Sequence, residues 1–436
     1  MRTKILTRRA LLLQGLTAGT ALGLPYVIPA AALGGPGRIA PSERITIGFI
    51  GMGGRVLGDT RNNYAGLLKF FQNEETCVVR AVCDVNKNHL RTAQERVNQF
   101  NGNNDCLTFS DFRNLLVRSD IDAVVIGTSH NWHGVMTVLG CRYGKDVYVE
   151  KPISNTIIEA RKMAQAAERF GRIIQAGTQA RSSARFQYAM GVIQQGVLGK
   201  IKKVRIGCTG VPVYCDLPAQ PVPDYLDWDM WVGPSPWRPY HQELYDHCGR
   251  YIGFGGGGIT DWGQHFFDVA QWGLGMDHSG PTDIYLPDGS EYEFLTFKYA
   301  HGPEMYLHMK GNRRLSTGTL FIGEHGEIDT MAWGDQVSFK PRHLAYRYFD
   351  HAYKGVGNTG KLLGNHVTNF LDCVRSRKKP NADVGISYRG VIVAHLANIA
   401  LRLKRRLKWD PATERFVDDE EANRLLETVH RPPWVI

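Results

Sequence analysis

The sequence lacks the patterns that define several common functional classes. Its eight cysteines form no Cys-x-x-Cys pair and no tandem metal-ligand spacing, so we predict no metal site. It also contains no long run of lysine or arginine, although its formal net charge is +10. Four of these positive charges fall in the first 32 residues and the others are spread thinly, which argues against nucleic acid as a partner.

A membrane-spanning run is also absent from the N-terminus, where the apolar segment of residues 10–24 is short and interrupted by glycines. This segment follows the pair Arg8-Arg9 and precedes the small residues of 29–32, which is the layout of a cleaved signal peptide. Paired arginines ahead of moderate hydrophobicity resemble the twin-arginine export signal. We therefore expect a twin-arginine signal peptide at residues 1–32, a linker at residues 33–43, and a periplasmic protein that meets a membrane only transiently, during export.

The composition of the whole chain is that of a soluble globular protein, with 43% hydrophobic and 22% charged residues. A length of 436 residues indicates two or three domains. Cys83 and Cys141 fall in strand and helix patterns and are expected in the core. Cys208, Cys215 and Cys248 lie close enough in sequence for one disulfide in an oxidising compartment, and the sequence leaves its formation open.

The most informative stretch is a strand followed by a glycine turn. The apolar, β-branched run of residues 45–50 ends in Gly51-Met52-Gly53-Gly54, and Arg55 and Val56 open the next helix. Without Cβ atoms the turn can tighten, and its N–H groups can approach a pyrophosphate at the helix N-terminus. Val56 stands where the usual fingerprint has a third glycine, so the motif depends on its neighbours for support.

Those neighbours supply the context. From residue 44 to residue 178, short apolar runs alternate with helical patterns, which predicts a Rossmann-type, doubly wound parallel sheet. From residue 179 to residue 405, strand patterns with turns predict a second α/β domain with a largely antiparallel sheet. Residues 406–436, which contain Pro432-Pro433-Trp434, are expected to form a C-terminal arm onto a neighbouring subunit.

Asp84 ends the second predicted strand, where a carboxylate accepts hydrogen bonds from both adenosine ribose hydroxyls. Its charge repels a 2′-phosphate, so it favours NAD over NADP. The spacing from the glycines is longer than the usual ~20 residues, which a lengthened helix and loop at Leu67–Glu75 would explain. A structural interpretation, compatible with ribose binding, is that Asp84 caps the helix predicted at Asn86–Phe100.

Two further stretches carry candidate chemistry. Lys151, in Glu150-Lys151-Pro152, follows a predicted strand, and the proline favours extended geometry that aims the lysine out from the sheet edge. Asp261 and His265 lie four residues apart and share one helix face, so the carboxylate can orient an imidazole that accepts a proton. Thr260 or Asp261 is the expected helix cap. The glycines of Gly255–Gly258 allow close approach of a ligand or of the other domain.

A long loop at Pro221–Tyr240 contains Trp228, Trp231 and Trp237. Their aromatic planes can stack on sugar faces, but packing against the second sheet is the favoured interpretation.

Taken in order, these features resemble the Gfo/Idh/MocA oxidoreductase family over essentially the whole mature chain. The features are the glycine turn, Asp84, Ser129–His133, Glu150-Lys151-Pro152, Gly177-Thr178-Gln179 and Asp261-x-x-x-His265. The likeness is greatest to the exported, twin-arginine members. Departures from the family pattern are Val56, His130 and Phe266, the last at a position where related chains often have a second histidine.

The resemblance implies a Rossmann domain, an α/β domain whose open sheet forms oligomer contacts, and sugars, cyclitols or their derivatives as substrates. It implies a homo-oligomer, either a dimer or a tetramer. It implies that Lys151, Asp261 and His265 are catalytic and bind substrate together with Gln179. The cofactor-binding residues it implies are Gly51, Met52, Gly53, Gly54, Arg55, Asp84, Thr128, His133, Glu150 and Lys151.

The resulting hypothesis is hydride transfer from a sugar carbinol carbon to NAD. In this hypothesis His265 takes the hydroxyl proton, Lys151 stabilises the developing alkoxide, and Asp261 holds the imidazole. Because an exported protein meets no NAD pool, the cofactor must be tightly held and returned to its starting redox state. A redox-neutral glycosidase or lyase acting through a 3-keto intermediate is the alternative. A carbohydrate-binding protein that keeps NAD structurally is a further alternative.

Overall fold

The computed structural model describes residues 39–59, 64–208, 210–309, 317–331, 336–345 and 359–436. The chain divides into two compact units, Met1–Arg44 and Ile45–Ile436. In the first unit the described residues include a single 3₁₀ turn, Pro41–Glu43. The predicted signal peptide and most of the predicted linker lie outside the described residues.

The second unit begins with alternating strands and helices. Its first strands are β1 (Ile45–Ile50), β2 (Gly58–Asp59), β3 (Tyr64–Ala65), β4 (Cys77–Cys83), β5 (Leu107–Phe109), β6 (Ala123–Ile126), β7 (Asp146–Val149) and β8 (Ile174–Ala176). Its first helices are α1 (Gly54–Leu57), α2 (Leu67–Gln72), α3 (Lys87–Asn101), α4 (Phe112–Leu116), α5 (His130–Arg142) and α6 (Ile157–Phe170).

Within the described residues, six of these strands form one parallel sheet in the order β5-β4-β1-β6-β7-β8. The central strands are continuous buried runs because packed helices cover both faces. The strand order reverses between β1 and β6, which is where ligands bind in such sheets. The predicted Rossmann fold is therefore confirmed.

The helix after the glycine turn is shorter than we expected. α1 is a single turn that stops at Gly58, whose φ is +85°. The β2–β3 hairpin follows, and α2 resumes the helix after Gly66. A side chain at Gly66 is excluded, since its Cβ would lie 2.1 Å from the carbonyl oxygen of Val56. The inserted hairpin, rather than a lengthened helix, accounts for the long spacing between the glycines and Asp84.

The second domain supplies the remaining elements. Its strands are β9 (Ile201–Gly207), β10 (Asp283–Tyr285), β11 (Leu295–Lys298), β12 (Glu304–His308), β13 (Gly318–Gly323), β14 (Glu327–Met331), β15 (Gln336–Lys340), β16 (Leu407–Asp410) and β17 (Arg415–Phe416). Its helices are α7 (Ala184–Gln194), α8 (Trp228–Val232), α9 (Gln242–His247), α10 (Gly257–Asp261), α11 (Gly263–Gly273), α12 (Thr359–Ser376), α13 (Val384–Leu403) and α14 (Glu420–Asn423).

In the described part of the chain, these nine strands form one mixed sheet in the order β15-β14-β13-β9-β12-β11-β10-β16-β17. β9 and β12 are parallel, and the other pairs are antiparallel, as the sequence predicts. Apolar residues of α7, α11 and α13 join the sheet in one core. α13 is long and apolar enough to span a membrane, but burial against α6 and α11 accounts for that composition.

The tryptophans of the Pro221–Tyr240 loop do not pack on the second sheet, which corrects our favoured interpretation. Trp228 and Trp231 stack on each other with ring centroids 4.5 Å apart, inside a separate cluster that includes Phe254. Trp237 is exposed. The loop therefore carries its own small core.

The C-terminal tail packs on its own chain. β16 joins the nine-stranded sheet. Further along the tail, the ring of Trp434 lies 4.7 Å from Trp132 and 5.9 Å from Phe112, both in the Rossmann domain. The expected role of residues 406–436 as an arm onto a neighbouring subunit stays a prediction.

Candidate active site

The glycine turn has the geometry that a phosphate-binding loop needs. Gly51 has a φ of +84°, and a Cβ there would lie 2.7 Å from the backbone nitrogen of Thr128. Gly53 and Gly54 face open space instead, with no atom of the described residues within 4 Å of an added Cβ. Gly51 therefore fixes the turn against β6, while Gly53 and Gly54 leave the N-terminus of α1 accessible to an anion.

Val56 packs in the place of the absent third glycine. It is fully buried. A Cβ on Gly127, directly after β6, would lie 2.4 Å from the Cγ2 of Val56. The close helix–strand contact that the third glycine usually allows is kept, because here the small residue is on the strand and the large one on the helix.

Asp84 lies beside this turn. Its Oδ2 accepts the N–H of Met52 at 2.5 Å, and its Oδ1 accepts the N–H of Asn86 at 2.7 Å. Asn86, not Asp84, caps α3 by accepting the N–H groups of Asn88 and His89. The interpretation of Asp84 as the cap is therefore wrong, and its carboxylate is held against the glycine turn.

A cavity of about 520 Å³ opens at this edge of the sheet. Its volume is within the range of ~300–1,000 Å³ that small-molecule and cofactor sites occupy. The predicted cofactor residues that line it are Gly51, Gly53, Gly54, Arg55, Asp84 and Thr128. An open glycine cradle at one side and a carboxylate at the strand tip fit the pyrophosphate and ribose of a dinucleotide.

Lys151 lies at the neighbouring strand end. It follows β7, which pairs with β6, and its peptide bond to Pro152 is cis. Its ammonium group forms an ion pair with Asp261 and lies 4.8 Å from the ring centroid of Trp262. A cation held by a carboxylate and an aromatic face is in place to stabilise negative charge on a substrate oxygen.

The segment that carries Asp261 and His265 is two helices, not one capped helix. α10 runs from Gly257 to Asp261, and α11 starts after Trp262. The proposed capping role of Thr260 or Asp261 is therefore wrong, since both residues lie inside α10. The helix begins earlier, at Gly257, which has a φ of +68°. Gly257 packs against the carbonyl of Gly210, whose oxygen would lie 2.3 Å from an added Cβ. The glycines thus admit another part of the same chain.

The surroundings of His265 favour the neutral form of its imidazole. Burial, and secondly the positive charge of Lys151, lowers the pKa of His265 to about 3. The same ammonium lowers the pKa of Asp261, although burial opposes its ionisation. Among the described residues the imidazole has no hydrogen bond to Asp261, whose carboxylate is bound by Lys151. The orienting role expected for Asp261 toward His265 is thus replaced by a role toward Lys151.

Buried Glu150 and half-buried Arg55 form an ion pair that joins two sites predicted separately. The guanidinium donates to Glu150 at 2.8 Å, and the side-chain amide of Gln179 lies 3.4 Å from the same oxygen and 3.2 Å from the hydroxyl of Tyr148. Burial alone would lower the pKa of Arg55, but the carboxylate raises it. Glu150 and Gln179 therefore hold the glycine-turn arginine in place rather than line the cavity.

His133 also has a supporting position. Its ring is buried between two carbonyl oxygens, those of Pro152 at 2.7 Å and Thr128 at 3.1 Å. It links the segments after β6 and β7. His130 interacts with Asp261 and Lys151, and burial lowers its pKa to about 4 although the charge of Asp261 opposes the shift. His366 is buried and bonded to Ser182 and to the carbonyl of Ala176, and no local pattern in the sequence predicts this position.

Two of the eight cysteines, Cys83 and Cys248, line the cavity. All eight lie within the described residues as free thiols, and Cys83 and Cys141 are buried in the core as expected. No group of three His, Cys, Asp or Glu residues able to hold a metal occurs in the described part of the chain.

Fold and site together define an oxidoreductase with an NAD-binding Rossmann domain. Residues 45–178 match the family described as "Oxidoreductase family, NAD-binding Rossmann fold", and residues 187–330 and 360–436 match its "C-terminal alpha/beta domain". The chain belongs to the Gfo/Idh/MocA oxidoreductase family, which confirms the resemblance at the family level.

Individual relatives are more distant. "Glycosyl hydrolase family 109 protein 1" of Shewanella sp. (strain MR-4) is 30% identical over 169 residues, which are 38% of this chain and 35% of the relative. The chain thus matches about a third of that protein's length. Aldose-aldose oxidoreductase from Caulobacter crescentus superposes with a TM-score of 0.57 at 17% identity, over 84% of this chain and 99% of that one. Myo-inositol 2-dehydrogenase from Lactobacillus plantarum gives 0.56 at 16%, over the same shares.

Proposed function

We propose that this protein oxidises a hydroxyl group of a sugar, cyclitol or glycoside by hydride transfer to a tightly held NAD. The observation that carries the proposal is the ion pair of Lys151 and Asp261, with the uncharged His265 one helical turn along, at the sheet edge that also carries the glycine turn. A bound cation and a nearby neutral base are the two groups that removal of a hydroxyl proton requires.

Each residue has a defined task in this proposal. Bound NAD would supply the hydride acceptor. Lys151 donates a hydrogen bond to the substrate oxygen and stabilises its developing negative charge. His265 accepts the hydroxyl proton, since its imidazole is neutral above a pH of about 3. Asp261 holds the ammonium of Lys151 and offers its other oxygen to a neighbouring hydroxyl.

Asp84 supports NAD rather than NADP as the cofactor. Its carboxylate lines the cavity and is fixed by Met52 and Asn86. A 2′-phosphate on the ribose would meet this negative charge, whereas ribose hydroxyls would donate to it. The nucleotide released from denatured protein, identified by mass spectrometry, tests this preference, and NADP as the released species would contradict it.

A second candidate function is redox-neutral cleavage of a glycoside through a 3-keto intermediate. The supporting observation is the similarity of 38% of this chain to a glycosyl hydrolase family 109 protein. In such a reaction, oxidation at C3 acidifies the C2 proton, the glycosidic substituent is eliminated, and re-reduction ends the cycle. No external oxidant is consumed.

One incubation separates these functions. The purified mature protein is mixed with a panel of sugars and glycosides, with no NAD added, and products are identified by mass spectrometry. Net oxidation gives a keto sugar or lactone only when a second sugar acts as acceptor. Redox-neutral cleavage releases the aglycone from a single substrate. A carbohydrate-binding protein would retain a sugar and give no product.

Export and assembly complete the proposal. We expect residues 1–32 to direct twin-arginine export to the periplasm, which replacement of Arg8 and Arg9 by lysine should block. A cytoplasmic wild-type protein would contradict that location. We also expect a homo-oligomer, either a dimer or a tetramer, and sedimentation of the mature protein as a monomer would contradict it.

A further inference from the structure

Part of the nucleotide cavity is built by the second domain. Residues 224–248, here called the cover segment, contain α8 and α9. Five of its residues line the same cavity as the glycine turn and Asp84: Met230, Trp231, Tyr245, Asp246 and Cys248. The cover segment therefore forms one wall of the cavity together with the Rossmann loops, although it begins 140 residues after Asp84 in the sequence.

Backbone hydrogen bonds fasten the cover segment beside the tip of β4. The N–H of Lys87 donates to the carbonyl of Tyr225 at 2.8 Å, and the N–H of Asp227 donates to the carbonyl of Val85 at 3.0 Å. Together they form an antiparallel bridge. The backbone directly after Asp84 is therefore paired with backbone of the second domain in the manner of two adjacent strands.

A side-chain bond reinforces this attachment. The amide of Asn86 donates to the hydroxyl of Tyr245 at 2.9 Å, while the backbone N–H of Asn86 donates to Asp84 at 2.7 Å. One residue therefore connects the proposed ribose-binding carboxylate to α9. Burial, with smaller contributions from Asp84, Tyr225 and Asp246, raises the pKa of Tyr245 to about 12 although the bond from Asn86 opposes the shift, so its hydroxyl stays protonated.

The second attachment comes from α5. The side-chain amide of Asn131 donates to the carbonyl of Val232 at 2.9 Å, and the indole N–H of Trp132 lies 3.1 Å from the carbonyls of Met230 and Trp231. Both donors are buried. Asn131 and Trp132 belong to Ser129–His133, one of the segments that resemble the family. Their role in this structure is to hold α8 over the cavity.

The C-terminal tail provides a third attachment. Arg431 donates to the side chain of Asp229 at 2.5 Å and to the carbonyl of Gly233 at 2.9 Å. The neighbouring His430 is bound to the buried Glu159 of α6 at 2.7 Å. The tail therefore ties the cover segment to the Rossmann helices, with Trp434 packed on Trp132 at their junction.

We propose that the cover segment is a fixed wall of the nucleotide cavity that retains NAD, and that the Asn86–Tyr245 bond and the Arg431 contacts limit the rate at which NAD leaves. This inference rests on the proposed function, because NAD is the occupant. Three separate attachments hold the wall in the folded protein, so release of the dinucleotide requires breaking contacts that the dinucleotide itself does not make.

The test measures exchange of bound nucleotide rather than activity. Full-length mature protein is purified with its nucleotide and diluted into excess isotope-labelled NAD, and the unlabelled fraction that remains is followed by mass spectrometry after denaturation. Tyr245→Phe removes a bond worth about 1 kcal/mol, which corresponds to about fivefold faster exchange. Arg431→Ala removes several bonds and should accelerate exchange more than Tyr245→Phe does.

Tyr225→Phe is the matched control. It makes the same chemical change in the same segment, and among the described residues the hydroxyl of Tyr225 has no hydrogen-bond partner, so exchange should match wild type. Thermal melts establish that each variant is folded. Wild-type exchange rates in both folded Tyr245→Phe and Arg431→Ala would overturn the role of the cover segment. Failure of wild type to bind any dinucleotide would instead overturn the proposed function, and with it this inference.

Discussion

The ammonium group of Lys151 is paired with the carboxylate of Asp261, which lies 110 residues further along the chain. Lys151 follows a strand of the first domain, and Asp261 ends a helix of the second. The pair therefore exists only when both domains are folded against each other. It also changes the role of Asp261, whose partner is the lysine rather than His265.

Replacing Lys151 tests the central cation. In Lys151→Met the alkoxide loses its charged donor, so kcat should fall by about 10²–10³. Nucleotide content should stay at the wild-type level, because Lys151 does not line the nucleotide cavity. Turnover and bound nucleotide are measured on the same preparation. Near-wild-type turnover would exclude Lys151 from the reaction, and loss of nucleotide would make it a cofactor-binding residue instead.

Replacing His265 tests the proton acceptor. His265→Gln keeps a polar group of similar size but removes the base, and kcat should fall by about 10²–10⁴. The wild-type pH profile gives an independent check. Because the pKa of His265 is lowered to about 3, kcat/KM should show no acid limb near the ordinary histidine value of about 6.5. An acid limb at that value which is lost in His265→Gln would contradict the lowered pKa, whereas an unchanged kcat in His265→Gln would contradict the role of His265 as proton acceptor.

Two glycines of the turn should respond differently to the same substitution. Gly51→Ala places a Cβ 2.7 Å from the backbone of Thr128 at a φ of +84°, so it should lower the melting temperature. Gly53→Ala meets no atom of the described residues within 4 Å and has a φ of −72°, so it should fold normally and bind nucleotide more weakly. Calorimetry and nucleotide content distinguish these effects. Equal melting temperatures in the two variants would contradict the assigned geometry.

The buried histidines should make the protein sensitive to acid. The folded-state pKa of His395 is lowered by burial to about 4, below its ordinary value of 6.5. Between these values the unfolded chain binds more protons than the folded one. The contribution of this histidine to the free energy of unfolding is therefore complete above pH 6.5 and is lost as the pH decreases toward 4. His366 behaves in the same way for the same reason.

Urea denaturation at several pH values checks this slope. Each such histidine contributes about 1 kcal/mol per pH unit near pH 5. His395→Asn should reduce the slope by about that amount, whereas His301→Asn, at an exposed position, should leave it unchanged. An unchanged slope in His395→Asn would show that this histidine is protonated in the folded protein.

Local signals in the sequence were sufficient to predict the sheet and the strand ends that position the site. Buried apolar runs predicted the parallel sheet, and the positions of Asp84 and Lys151 followed from the strand ends that they occupy. The short α1 was missed because Gly58 and Gly66 give no helix-breaking pattern as strong as proline, yet their backbone geometry ends and restarts the helix. The packing of Val56 on Gly127 was equally hidden, since it joins residues 71 positions apart.

Sequence patterns did not predict which distant residues form ion pairs or hydrogen bonds with each other. Arg55 and Glu150 were both predicted to bind the cofactor, but their ion pair spans 95 residues and places Glu150 behind the arginine. The bond of Asn86 to Tyr245 spans 159 residues. Hydrogen-bond partners of this kind depend on how the two domains dock, and periodicity along the chain carries no information about docking.

A single-turnover experiment shows whether a sugar hydroxyl reduces the bound nucleotide. Purified mature protein in its oxidised form is mixed with the sugar and glycoside panel without added nucleotide, and the near-ultraviolet absorbance of reduced nicotinamide is followed. We expect a rise in absorbance with at least one substrate in wild type, and no rise in Lys151→Met or His265→Gln that retain their nucleotide. Substrate turnover with no transient reduction of the bound nucleotide, or an unchanged transient in both variants, would contradict this expectation.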